Sequence, residues 1–188
     1  MRLLDTKRRL DALAEADGET EIAAAAQVLA ETPGRRARQG LERLLASHER
    51  AEVRAQAAWA LGFHRQGAQA AGSLVRTLGD RDEDVDVRAH AAEALGHLAD
   101  RLGDQERDAL GALLHGLRDS APEVRFWSAF ALGNLGDEAA IPALERLADR
   151  DEESVPGWWS IRKEANDSIK QILLAKRNRA AAEGVEGA

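Results

Sequence analysis

Apolar residues recur along this chain at helical spacing, in blocks of two alternating kinds. One kind is leucine-rich: Leu41, Leu44 and Leu45, then Leu74, Val75 and Leu78, then Leu110, Leu113, Leu114 and Leu117, then Ile141, Leu144 and Leu147. The other kind opens on a branched residue and an arginine and continues in alanine. Val53 to Gly62, Val87 to Gly96 and Val124 to Gly133 are near-copies of it, and a fainter copy opens on Ile161-Arg162 and keeps Ala165 and Ile169. The copies start at 53, 87, 124 and 161, and so lie 34 to 37 residues apart. Apolar spacing of three and four residues predicts an amphipathic helix for each block. Helix pairs returning at this period predict a stacked solenoid, in which each pair completes its core only against its neighbours.

The ends follow the pattern loosely. Leu3, Leu4, Leu10, Leu13 and Ala14 predict a first helix that stops at Asp17-Gly18, and Ile22 to Ala30 predicts a second that stops at Thr32-Pro33-Gly34. These form an atypical terminal repeat over about residues 1–34, as expected where one side of a stack lacks a neighbour. Ser120-Ala121-Pro122-Glu123 has the spacing of a capping box, and the acidic connectors Asp80 to Asp86 and Asp149 to Ser154 precede helix starts that favour negative charge. A single domain over 1–176 is expected, with 177–188 a frayed tail.

The motif Val-Arg-x-x-Ala-Ala-x-Ala-Leu-Gly, with its preceding acidic turn and leucine-rich helix, resembles the HEAT-like repeats named after phycobilisome lyases. The resemblance covers roughly residues 36 to 175. It implies an all-α fold, a right-handed α–α superhelix of about five helix pairs, with the second helix of each pair lining the concave side. It does not imply one function, because such repeats occur in scaffolds, chromophore lyase subunits, an iron-dependent hydroxylase and DNA glycosylases.

What the repeat leaves free is informative. At about 100° per residue, Val53, Ala57, Ala60 and Leu61 share the core face, and Gln56, Trp59 and Phe63 fall opposite. The same register places His90, Glu93 and His97 outward in the next copy. It places Phe126, Trp127, Phe130 and Asn134 outward in the third, and Lys163, Glu164, Asp167 and Gln171 in the last. Aromatics are only 4% of the chain, yet five of the seven occupy these free positions. The other two, Trp158 and Trp159, directly precede the last such helix. Side chains on helices packed 8–10 Å apart would form one stripe, and aromatic anchors of this kind mark binding surfaces. The competing reading is that these rings fill grooves between twisted repeats, and for Trp158-Trp159 that they close the last repeat's edge.

Other chemistry is thinly represented. His90, Glu93 and His97 have helical spacing that brings imidazole and carboxylate together, but a full turn separates their ends and a metal would need a second helix. The hydroxylase of this fold carries several His-Glu pairs, and this chain has one, His48-Glu49, in a connector. Arg54, Arg88, Arg125 and Arg162 recur at one register beside acidic connectors, which points to a structural ladder rather than phosphate binding. Arg35, Arg36 and Arg38 form the densest basic cluster, a pattern that is usually solvated. No phosphate loop, nucleophile elbow or Ser/His/Asp arrangement is visible. The absence of cysteine excludes disulfides and thiolate metal sites. A net charge of −7 disfavours nucleic acid, and no apolar run long enough for a membrane span or a signal core is present, so a cytoplasmic setting is expected. No catalytic residue, metal or cofactor is expected. The leading expectation is a non-catalytic scaffold that binds a protein or peptide through Trp59, Phe126, Trp127, Phe130, Trp158 and Trp159, with His90, Glu93 and His97 as a polar middle. The alternative is a bilin lyase-like or isomerase-like subunit holding an aromatic ligand in the same groove.

Overall fold

A computed structural model describes residues 2–186, and its ten α-helices follow one another as five pairs. These are α1 (Arg2–Glu15) with α2 (Glu19–Ala30), α3 (Arg35–Ser47) with α4 (Ala51–Phe63), and α5 (Ala71–Gly79) with α6 (Val85–His97). They continue as α7 (Glu106–Gly116) with α8 (Pro122–Leu135), and α9 (Ile141–Arg150) with α10 (Ile161–Glu186). Among the described residues the only β pairing is an isolated bridge between Ser154 and Ser160, inside the connector before α10. The apolar blocks are the helices, and their core faces are buried as the periodicity predicts: Leu41, Leu74, Leu113 and Leu144 on outer helices, Val53, Val87, Val124 and Ile161 on inner ones.

The even-numbered helices pack on one another far more extensively than the odd-numbered ones do. The glycine that ends each motif copy explains why. A Cβ on Gly62 would stand 2.8 Å from the Ala94 Cα, and one on Gly96 would stand 2.9 Å from the Ala131 Cα. On Gly133 it would meet Ser168 at 2.7 to 3.0 Å. Each motif glycine therefore receives the small residue seven places into the next copy, and backbones approach closely. A tight inner layer beside a splayed outer one curves the stack, so the even helices line its concave side.

The recurrent arginines form the expected ladder. Arg54 donates to Glu83 at 2.7 and 3.1 Å, and Arg88 grips Asp119 at 3.1 and 3.2 Å. Arg125 reaches Asp151 at 2.6 Å and Glu153 at 2.9 Å. The first three also hold carbonyls of their own connector, so each rung ties one repeat to the next. Arg162 instead turns back to Glu152 and the Ala148 carbonyl of its own preceding connector and helix.

Two expectations give way to different local solutions. Ser120 does not cap α8. That helix starts at Pro122, and the Ala121 N–H instead donates to Asp119 Oδ1 at 2.9 Å, because Asp119 is already fixed there by Arg88. The backbone from 177 to 186, expected as a tail, continues α10 through Glu186, helped by Lys176 on Glu138 and Arg179 on the Gly136 carbonyl. Residues 187 and 188 lie outside the described residues.

Candidate binding groove

The four tryptophans and three phenylalanines, with His97 as one link, form a continuous run of ring contacts. Trp59 meets Phe63 at 4.7 Å between centroids, Phe63 meets His97 at 4.3 Å, and His97 meets Phe130 at 5.5 Å. Phe130 then meets Trp127 edge-on at 5.4 Å, Trp127 meets Trp158 at 5.1 Å, and Trp158 meets Trp159 at 5.7 Å. Most of these separations fall where aromatic pairs attract. Trp59 and Phe63 lie near the C-terminal end of α4, whereas Trp158 and Trp159 precede the N-terminal end of α10. The run therefore crosses the concave face as a diagonal over four inner helices.

Exposure varies along it. Phe63, Trp158 and Trp159 are 46%, 47% and 43% exposed, while Trp59, Trp127 and Phe130 are half-buried. Phe126 departs from the expectation of an outward ring, being only 1% exposed. The reason is its register: Ala55 and Ala89 hold the same position in their copies and are buried too, against the neighbouring inner helix. In the third copy that space takes a phenyl ring, and Phe126 becomes the floor on which Trp158 and Trp159 rest, at 5.8 and 6.1 Å.

The connector that carries the two tryptophans is closed by its own bonds. Gly157 supplies a left-handed turn at φ 80°, the Trp158 N–H donates to the Val155 carbonyl at 2.9 Å, and the Ser154–Ser160 bridge closes the loop. Trp159 Nε1 donates to Glu164 Oε2 at 2.7 Å, which fixes the indole. Burial pushes the Glu164 carboxyl above the usual carboxylate range, against the opposing hydrogen bond from Trp159. Lys163 Nζ lies 4.3 Å from the centre of the Trp159 ring and donates to Asp167 at 2.6 Å.

The polar middle is engaged locally. His90 Nδ1 donates to the Asp86 carbonyl at 2.8 Å, and His97 lies 3.5 Å from Glu93. Among the described residues no three His, Cys, Asp or Glu side chains converge as metal ligands. Two hollows flank the start of the diagonal. One, of about 530 Å³, is walled by Trp59, Phe63, Gln27 and Glu31. The other, of about 390 Å³, lies at the N-terminal ends of α2, α4 and α6 and is lined by Glu19, Glu52, Asp84 and Asp86. Phe63 shares the outward register with Trp59, but the binding set expected from sequence omits it. Each of the four acids reads singly as a helix-start residue in the sequence, and only the stacking of repeats gathers them.

Comparison with known proteins settles the family. A family model for HEAT repeats matches residues 6–96 and, overlapping, 73–163. The chain belongs to the HEAT repeat family. Among solved structures, this HEAT repeat chain is similar to the complex of CpcE and CpcF of phycocyanin lyase from Nostoc sp. PCC7120. The TM-score is 0.68 at 18% identity, over 93% of this chain and 99% of that one. It is similar to a designed armadillo repeat protein in complex with the peptide (KR)4, with TM-score 0.61 at 22% identity over 87% and 80%. It is also similar to a chain of the Kap95p–RanGDP complex, with TM-score 0.62 at 16% identity, over 89% of this chain but only 24% of that one. No curated protein matches by sequence. No helix among the described residues is long and apolar enough to cross a membrane.

Proposed function

We propose that this HEAT repeat protein is a non-catalytic cytoplasmic scaffold that binds a protein, through a flexible segment, along its concave face. One observation carries the reading: seven aromatic side chains from two helix pairs and one connector, linked through His97 of a third pair, join into a single ring-to-ring path that is open to solvent at Phe63 and at Trp158 and Trp159. Apart from the buried Phe126, the solenoid core needs none of them there, since Ala and Leu already fill it. Large exposed rings backed by other rings lose little freedom on binding and are frequent interface anchors. The designed armadillo protein of similar fold holds a peptide, which supports the same use of a stacked inner layer here. Phe63 and Trp158 are the anchors, Trp127 and Phe130 the wall, and Phe126 the floor.

The test is partner capture from the native cell with wild type, Phe63→Ala, Trp158→Ala and Trp127→Ala. The exposed-ring variants should lose a defined partner while keeping helical circular dichroism and a near wild-type melting temperature. Equal recovery with all three variants would refute the anchor role. The chromophore-lyase reading shares this groove and the CpcE/CpcF likeness, but that likeness bears on fold. Titration with a tetrapyrrole, followed by tryptophan quenching, separates the two, and quenching at micromolar ligand would favour the lyase reading.

A further inference from the structure

We infer that the segment bound on the concave face is cationic at one end and apolar at the other, its lysine or arginine side chains seated in the acidic hollow of α2, α4 and α6. The inference rests on the binding role of that face and adds the chemistry of the occupant. The hollow has an apolar floor, Ile22 and Ala55, and four carboxylates around it from three successive repeats, with no lysine or arginine in the lining. Those acids hold few ion pairs of their own, although Asp84 and Glu52 act at a distance on the Arg54 guanidinium. Glu19 and Asp86 have no ion pair among the described residues, and Glu52 has only Arg50 at 3.8 Å, with its own side chain 62% exposed. Asp84 caps α6 by accepting the Asp86 N–H. Helix starts favour an acid singly, but that preference does not gather four around one apolar-floored hollow.

A second feature, within the chain itself, has the same chemistry. At the far end of the diagonal the protein holds a cation of its own: Lys163 lies over the Trp159 ring and on Asp167, between an aromatic face and a carboxylate. Towards the near end Trp59 and Phe63 follow the acids along α4, with Arg65 beside those rings and no lysine or arginine lining the acidic hollow itself. Spacing links the two halves. Gln56 lines the hollow and Phe63 stands two turns further along α4, about 10 Å away at 1.5 Å per residue. An extended segment covers that in about three residues. Crossing from α4 to the α8 tryptophan takes two helix spacings of 8–10 Å, or about six residues more. The occupant is thus an extended stretch of about ten residues with basic residues at one end and apolar residues after them.

The experiment uses the full chain and three fluorescein-labelled dodecapeptides. The first carries Lys-Arg-Lys-Arg followed by alternating Leu and Ser. The second has Glu in place of the four cations, and the third has Ser in place of every Leu. By fluorescence anisotropy the first should bind, at least tenfold more tightly than either of the others, and more weakly as salt rises from 50 to 300 mM. Glu52→Gln with Asp86→Asn, both exposed positions, should cost the first peptide at least fivefold with an unchanged melting temperature. Glu19→Gln gives a third, separate reading of the hollow. Equal binding of the acidic peptide, or no response to either set of charge variants, overturns the inference. If Phe63→Ala still weakens binding in that case, the aromatic groove stands and only the cationic occupant falls. If neither class of variant matters, both readings fall.

Discussion

At the scale of single residues, Asp119 is the most constrained charge in the chain. Its side chain is buried, yet it serves Arg88 in two hydrogen bonds, Arg81, and the Ala121 N–H. Burial works against its charge, but the Ala121 N–H and the two guanidinium groups prevail and hold its carboxyl below the usual range. Asp119→Asn keeps the shape and leaves the buried Arg88 cation without its counter-charge. The expected loss is about 3 kcal/mol at pH 7 in urea denaturation, the scale for breaking a buried pair from one side. A depressed folded pKa stabilises above the unfolded carboxylate range and loses that contribution as pH falls through the folded value. The gap between wild type and variant should therefore narrow towards pH 3, and a constant gap would contradict the assignment. Glu164 has the opposite sign. Its folded pKa is raised, so ionising it costs stability as pH rises through that value. Glu164→Gln keeps an acceptor for Trp159 and should melt higher than wild type at pH 7, with no gain near pH 4.

At the scale of helices, the motif glycine and its receiving small residue set how closely the inner layer packs. Gly96→Val would drive a side chain against the Ala131 backbone and the Phe130 ring. A loss of about 1–3 kcal/mol is expected from overpacking, with the inner helices forced apart. Gly111 is the matched control, since a Cβ there on α7 meets nothing within 4 Å. Gly111→Ala should stabilise by about 0.5–1 kcal/mol, through the chain's reduced freedom when unfolded. Chemical denaturation of the two variants side by side decides this, and equal effects would mean that the close approach has no energetic weight.

Helix pairs, their order and the arginine ladder were all legible in the sequence, because each depends on a period that repeats. The path of the aromatics was legible in part. Residues three and four apart on one helix, such as Trp127 and Phe130, must share a face, but Phe126 lies at a lateral register that only the neighbouring helix makes interior. The meeting of Phe63 with His97, and of Trp127 with Trp158, depends on the rotation between repeats, which no single repeat encodes.

At the scale of the whole molecule, stability in a stacked-repeat fold is a sum of repeat and interface contributions, so a perturbed interface should loosen one end before the other. His64 is such a point. It is fully buried between repeats, its Nε2 donates to the Thr32 carbonyl at 2.9 Å, and its Nδ1 accepts the Gln66 N–H at 3.0 Å. Thr32 in turn accepts from Arg9 at 2.8 Å, so this one imidazole joins the second pair to the first. Both ring nitrogens are matched only while the ring is neutral. Burial lowers the His64 pKa, assisted by nearby Arg38 and opposed by the Thr32 carbonyl. A lowered folded pKa means that the unfolded chain takes up the proton first. The stabilisation is therefore complete above about pH 6.5, the ordinary histidine value, and declines as pH falls from there towards the folded value. The decline belongs to the interface between α2 and α4, because among the described residues the only bond the His64 ring makes to another helix pair is to the Thr32 carbonyl. Hydrogen exchange corrected for intrinsic rates should show α1 and α2 opening more readily at pH 5 than at pH 7, with α8 and α10 little changed. His64→Gln offers a neutral donor at both values and should remove most of that difference. If α8 and α10 loosen as much as α1 and α2, the acid response belongs to the charge of the whole chain and not to this histidine.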